Sequence, residues 1–268
     1  VFSSNPTPLD INFRLFGFPC RISAIFWIGA LFLGSSTVNL PGIPLVGTAI
    51  WVACMLVSIL VHELGHAFAA RTFRSNVTSV VLTVLGGFCA YDREPKVRWK
   101  RIAIALAGPA AGFLLLGFVE ALQAAYNWSE LNLYTGFAYS DLWFINLVWG
   151  LFNLLPIWPL DGGRVSRELC AGAKVANPIE TSLWISIVLA GAIGLYSLME
   201  EFNKTPTWLI DAMPGWFHQF RPSLFTAIWM GLFAMENYQL LQQYRYDRRS
   251  SFGSAGYGYS NESPWWRR

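Results

Sequence analysis

The chain has 268 residues, of which 54% are apolar and only 13% charged, and its mean hydropathy is +0.40, whereas soluble domains carry about 25% charged residues. These figures exclude a disordered chain and favour a membrane protein over a soluble enzyme, since about 20 helical residues cross a hydrocarbon core about 30 Å thick. The net charge is only +3 and the basic residues are scattered between apolar runs, so no nucleic-acid surface is expected.

The first segment, residues 1–21, is polar and lacks the basic start, apolar run and small-residue cleavage site of a secretory signal. It is expected to be a cytoplasmic N-terminal segment. Apolar runs follow at Ile22 to Val38, Ile43 to Ala70, Ile102 to Ala125, Leu142 to Leu155, Leu183 to Met199 and Leu224 to Met235. The shorter ones can cross if flanking Trp and Tyr sit in the interface or the bilayer thins locally. Between the second and third runs, Ser79 to Tyr91 is β-branched and apolar with Gly86 and Gly87 at its centre, which predicts a hairpin turning at the glycines. Open strand edges cannot face lipid, so this hairpin must be shielded by protein or sit at the rim. The predicted fold class is an all-α polytopic membrane protein, with about six transmembrane helices and a small membrane-associated β-hairpin. Residues 22–240 form its membrane-embedded domain and residues 241–268 a cytoplasmic tail. The four cysteines, Cys20, Cys54, Cys89 and Cys170, are isolated and read as small core residues.

The distribution of Lys and Arg tests this topology independently, because positive charge concentrates in cytoplasmic loops. With six spans and a cytoplasmic N-terminus, 17 of the 19 basic residues fall on one side, and only Lys204 and Arg221 on the other. Both termini are therefore expected in the cytoplasm, with a bacterial plasma membrane as the default setting.

The second run ends in HELGH at positions 62–66. Residues four apart on a helix lie about 40° apart in azimuth and about 6 Å apart along the axis, so His62 and His66 can reach one cation. Glu63 projects from nearly the same place and could take a proton from water that zinc acidifies. Two of the three histidines and an acid within five apolar-helix residues point to function, because ionisable groups inside a membrane are costly. His218 lies in a polar loop and reads as a surface residue.

Catalytic zinc takes three protein ligands and leaves one open position. Ala69 and Thr72 stand where an extended HExxHxxGxxH pattern would have its glycine and third histidine, so the third ligand must come from elsewhere. Asp161, at the end of the fourth run, is the candidate, because the second and fourth runs travel in the same direction and end in the same half of the membrane. Pro156 and Pro159 resist helix continuation and Gly162 and Gly163 permit a tight backbone, so Asp161 can sit where the helix breaks. Asn153 is placed either to donate a hydrogen bond to a substrate carbonyl or to tie neighbouring helices together.

HELGH on a membrane helix, followed far downstream by NxxPxxPLDGG from Asn153 to Gly163, resembles the site-2 protease family of intramembrane zinc metalloproteases. Ala107-Gly108-Pro109 and the Gly86-Gly87 hairpin extend the likeness, which covers roughly Ile43 to Leu169. The resemblance implies that His62, His66 and Asp161 bind one Zn2+ ion and that Glu63 activates water. Asn153 with the Pro156 turn would position substrate, and the Gly86-Gly87 hairpin would hold an unwound segment by strand addition. It implies an endopeptidase acting in or near transmembrane segments of membrane proteins, with the lipid bilayer and a membrane-spanning substrate as partners. The interval between the second and third runs leaves no room for the PDZ domain some members insert, and the stretch after Met235 is too short for the paired CBS domains of others. Many members carry Asn where this chain has Gly112. The alternative is a catalytically silent, site-2-protease-like subunit with partners in a membrane complex. A metal transporter fits less well, since no second acidic relay accompanies the single metal group.

Overall fold

In the computed structural model of the protein, residues 7–33, 44–83, 86–205 and 224–253 are described, and contacts divide the chain into two units, Val1–Leu154 and Leu155–Arg268. The expected surface position of His218 and most of the proposed tail lie outside the described residues.

The first unit begins with a strand pair, β1 (Ile11–Leu15) and β2 (Phe18–Ile22), joined by Phe16 and Gly17 at φ 51° and 83°. Two left-handed residues make the tight turn whose twist matches antiparallel strands. The polar N-terminal segment of the sequence reading thus contributes half of a sheet. β2 buries Phe18, Cys20 and Ile22 on one face and pairs in parallel with β3 (Val77–Thr83), with Cys20 opposite Val80 and Ile22 opposite Leu82. β3 pairs antiparallel with β4 (Gly86–Tyr91), so the predicted hairpin is one half of a four-stranded sheet in the order β1-β2-β3-β4. Gly86 and Gly87 are the first residues of β4 rather than its turn, with Gly86 opposite Thr83 and Gly87 opposite Leu82.

The first apolar run is divided: Ile22 closes β2, and α1 (Ala24–Leu33) is only 10 residues long. α2 (Pro44–Thr72) and α3 (Arg98–Tyr126) are 29 residues each and match the second and third runs. The indole of Trp51 on α2 donates to the carbonyl of Ala30 at 3.1 Å. The core of this unit gathers Phe26, Met55, Ile59 and Leu64 from the helices against Phe18, Val80 and Leu82 from the sheet.

α4 (Leu133–Phe144) starts on Asn132, whose side chain accepts from the amides of Tyr134 and Thr135, while Thr135 Oγ1 accepts from the Asn132 amide. This reciprocal cap satisfies first-turn donors that a helix cannot bond internally. A π-helical stretch, Ile145–Trp149, follows, and α5 (Gly150–Asn153) then ends where the prolines begin. In the second unit, α6 (Asp161–Gly172) is followed by α7 (Pro178–Glu201) and α8 (Leu224–Gly253). The fifth apolar run lies within α7, and the sixth is the start of α8.

Leu45–Thr72, Arg98–Tyr126 and Pro178–Glu201 are long and apolar enough to cross a bilayer. The protein is a mostly helical integral membrane protein with three such helices among the described residues and one small sheet.

Candidate metal centre

α2 carries His62, Glu63 and His66 on its last turns. Glu63 and His66 are buried and His62 half-buried. Nδ1 of His66 lies 2.7 Å from the carbonyl oxygen of Ile104 on α3. A carbonyl can only accept, so Nδ1 carries the proton and Nε2 of the neutral ring presents a lone pair. That Nε2 stands 3.3 Å from Nε2 of His62, with the ring centroids 5.0 Å apart. Two facing ring nitrogens, one fixed as a lone pair, need a proton or a cation between them.

The histidines face the backbone of Gly108. A Cβ built there would stand 2.2 Å from His66 Nε2 and 2.8 Å from His62 Nε2, inside van der Waals contact with both donors. α3 therefore supplies a carbonyl that orients one imidazole and a bare surface that makes room for the pair. Neutral nitrogen donors oriented by a partner on the second ring nitrogen suit a divalent ion such as zinc.

Glu63 lies against the sheet. A Cβ at Gly87 would come within 2.5 Å of its Cγ and 2.8 Å of its Oε1, so this side chain occupies space that any other residue on β4 would fill. Gly86, at φ 132°, has a backbone that other residues rarely adopt, and a Cβ there would only brush Trp149 at 3.9 Å. Just over one turn before His62, Ser58 accepts at 2.9 Å from Asn146, which is 3% exposed on the π-helical stretch. A Cβ at Gly112 would lie 3.5 Å from Oδ1 of Asn146, so a side-chain amide from another helix faces this glycine. Asn153 is the last residue of α5 and half-buried.

In the second unit, Asp161 is the first residue of α6 and is 8% exposed. Asp161 thus stands in the first turn of α6, at the positive end of the helix dipole. Pro156 lies in the turn before it, and its carbonyl accepts from Ser186 Oγ at 3.3 Å. Gly163 permits the turn to fold back, since a Cβ there would be 2.5 Å from the Trp158 nitrogen. Sequence reasoning missed Ser186 and Asn237, whose side chains hold this turn; Ser186 is a polar residue inside the fifth apolar run, and Asn237 lies among polar residues just beyond the sixth.

The model of Peptidase family M50 matches residues 50–140 and 137–195, and the chain belongs to this family. A zinc metalloprotease of Methanocaldococcus jannaschii, MJ0392, is 30% identical over 198 residues, which is 68% of this chain and 54% of that protein. A protein of Mycobacterium tuberculosis named as a putative zinc metalloprotease, Rip3, is 40% identical over 61% of this chain and 42% of its own length. The chain thus spans about half the length of these relatives. The solved site-2 protease from Methanocaldococcus jannaschii shares the fold, with a TM-score of 0.54 at 20% identity over 86% of this chain and 94% of that one.

Proposed function

We propose that the chain is an intramembrane zinc endopeptidase in which His62, His66 and Asp161 hold one Zn2+ ion and Glu63 is the general base. The observation that carries this reading is the His66 imidazole, fixed by Ile104 with its lone pair facing His62 and with Glu63 buried on the neighbouring position. The donor types support it, because two imidazoles and a carboxylate are ligands that catalytic zinc takes. So do the family membership and the names of the relatives. Zinc, when bound, would polarise the scissile carbonyl and lower the pKa of water.

The remaining work falls to the chain's own residues. Glu63 accepts the proton of the attacking water and passes it to the leaving amine. The substrate must unwind, because a transmembrane helix hides its carbonyls in internal hydrogen bonds. β4 is an edge strand and reaches Glu63 at Gly87, so an extended segment added to it would lie beside the base with its amides paired. Asn153, at the end of α5, donates to the substrate carbonyl, and the turn around Pro156 bounds the site. The substrate class is a membrane-spanning protein. The charge distribution supports six spans with both termini cytoplasmic, the broken helical path from Leu133 to Asn153 being one of them. Nothing favours the silent-subunit alternative, given that Glu63 is retained beside the histidine pair.

The test is Glu63→Gln in liposomes with a membrane-spanning substrate. Cleavage should vanish while one zinc per chain remains; undiminished cleavage by this variant would remove Glu63 from the reaction.

A further inference from the structure

The turn that carries Asp161 is held from outside by two side chains that belong to neither sequence motif. Trp158 stands three residues before Asp161. Its amide donates to Ser186 Oγ on α7 at 3.1 Å, and its carbonyl accepts from Asn237 Nδ2 on α8 at 2.6 Å. Both polar groups of one peptide residue are thus bonded to different helices. Ser186 is 1% exposed and Asn237 0%. Ser186 Oγ also lies within donating distance of the carbonyls of Pro156 and Ser182, at 3.3 and 2.9 Å.

The orientation of Asn237 is dictated by its neighbours. Its second contact is the carbonyl of Phe233 at 2.8 Å, so both partners are acceptors and only the NH2 end can face them. An aspartate of the same shape would offer no donor and would set its oxygens against two carbonyls. Within the turn, Leu160 donates to Ile157 at 2.9 Å and Gly163 to Leu160 at 3.0 Å, so the position of Trp158 passes through two backbone bonds to the first turn of α6.

We infer that Ser186 and Asn237 are positioning residues for the metal, fixing the Trp158 peptide and through it the carboxylate of Asp161. This rests on the reading of Asp161 as a zinc ligand. Groups that orient a metal ligand without touching the ion are worth about 10–100-fold in affinity when removed. A buried serine on α7 with no such task provides the contrast: Ser197 Oγ donates at 2.8 Å to the Ile193 carbonyl of its own helix.

The experiment measures zinc affinity by chelator competition on the full chain in detergent, with the melting temperature of the metal-free protein beside it. Asn237→Asp and Ser186→Ala should each lower affinity by about tenfold or more, and Ser186→Thr, which keeps the hydroxyl, should restore most of it. Ser197→Ala should bind zinc as the parent does. Combined with Asp161→Ala, neither substitution should lower affinity further, because a ligand already removed cannot be displaced. Parental affinity in both single variants while Asp161→Ala binds weakly, or losses that add in full to that of Asp161→Ala, would overturn the positioning role and leave the ligand assignment standing. Unchanged affinity in Asp161→Ala itself would remove the ligand assignment and this role with it.

Discussion

The carbonyl of Ile104 on α3 accepts from Nδ1 of His66 on α2 across 2.7 Å, and the same stretch of α3 presents bare backbone to the imidazole pair four residues later, at Gly108. One helix therefore sets both the tautomer of His66 and the space it occupies. Gly108→Ala should abolish zinc binding, because its Cβ would stand 2.2 Å from His66 Nε2. The helix itself should survive, since alanine is the better helix former by about 1 kcal/mol. Metal content and circular dichroism of the purified variant check both halves of this expectation.

Gly87→Ala should separate catalysis from metal binding. The added methyl group displaces Glu63, with which it would collide at 2.5 Å, and leaves the histidines untouched. We expect one zinc per chain and a fall of at least about tenfold in kcat, the lower range of what a positioned base contributes being about a hundredfold. Equal loss of zinc and activity would place the glycine's role elsewhere.

Asn146→Leu should weaken the fold more than its volume suggests. It removes the donor to Ser58 at 2.9 Å and leaves a buried hydroxyl to find another partner. The cost should be about 1–3 kcal/mol, read as a lowered thermal midpoint in detergent, and Ser58→Ala in the same chain should recover part of it.

Asp10 ties the N-terminal strands to α1. The hydroxyl and then the amide of Thr7, with help from the Ala24 amide and the Arg21 guanidinium, hold its carboxyl below its ordinary value of 3.8. Because the folded state prefers the ionised form, this contribution is present above pH 3.8 and is lost as the pH falls through the lower folded value. Hydrogen exchange at the Thr7 and Ala24 amides should accelerate over that interval, and Asp10→Asn should show no such step.

The helix carrying the histidine pair was legible because two histidines at helical spacing in an apolar run leave few other readings, and the break before Asp161 because Pro156 and Pro159 resist continuing a helix. The four-stranded sheet was not. Phe16-Gly17 lacks the Asn-Gly signature of a two-residue turn, Pro19 argues against a strand, and the parallel pairing of Cys20 with Val80 joins residues far apart in the chain. A glycine pair between apolar strands reads as a turn, whereas here its smallness is required by Glu63, which only the folded chain brings to β4. Ser186 was invisible because a single polar residue in a long apolar run looks the same whether it bonds its own helix, as Ser197 does, or a distant peptide, and Asn237 because it follows Glu236 just past the sixth run, where a polar residue reads as the end of a span.

The parallel seam between β2 and β3 also gives the first strands a protective duty. With β1 and β2 in place, β3 is an interior strand and β4 is the edge that meets Glu63. A form trimmed to begin at Ser23 would bare the backbone of β3 as a second open ledge, ready to pair with a neighbouring copy and so to aggregate.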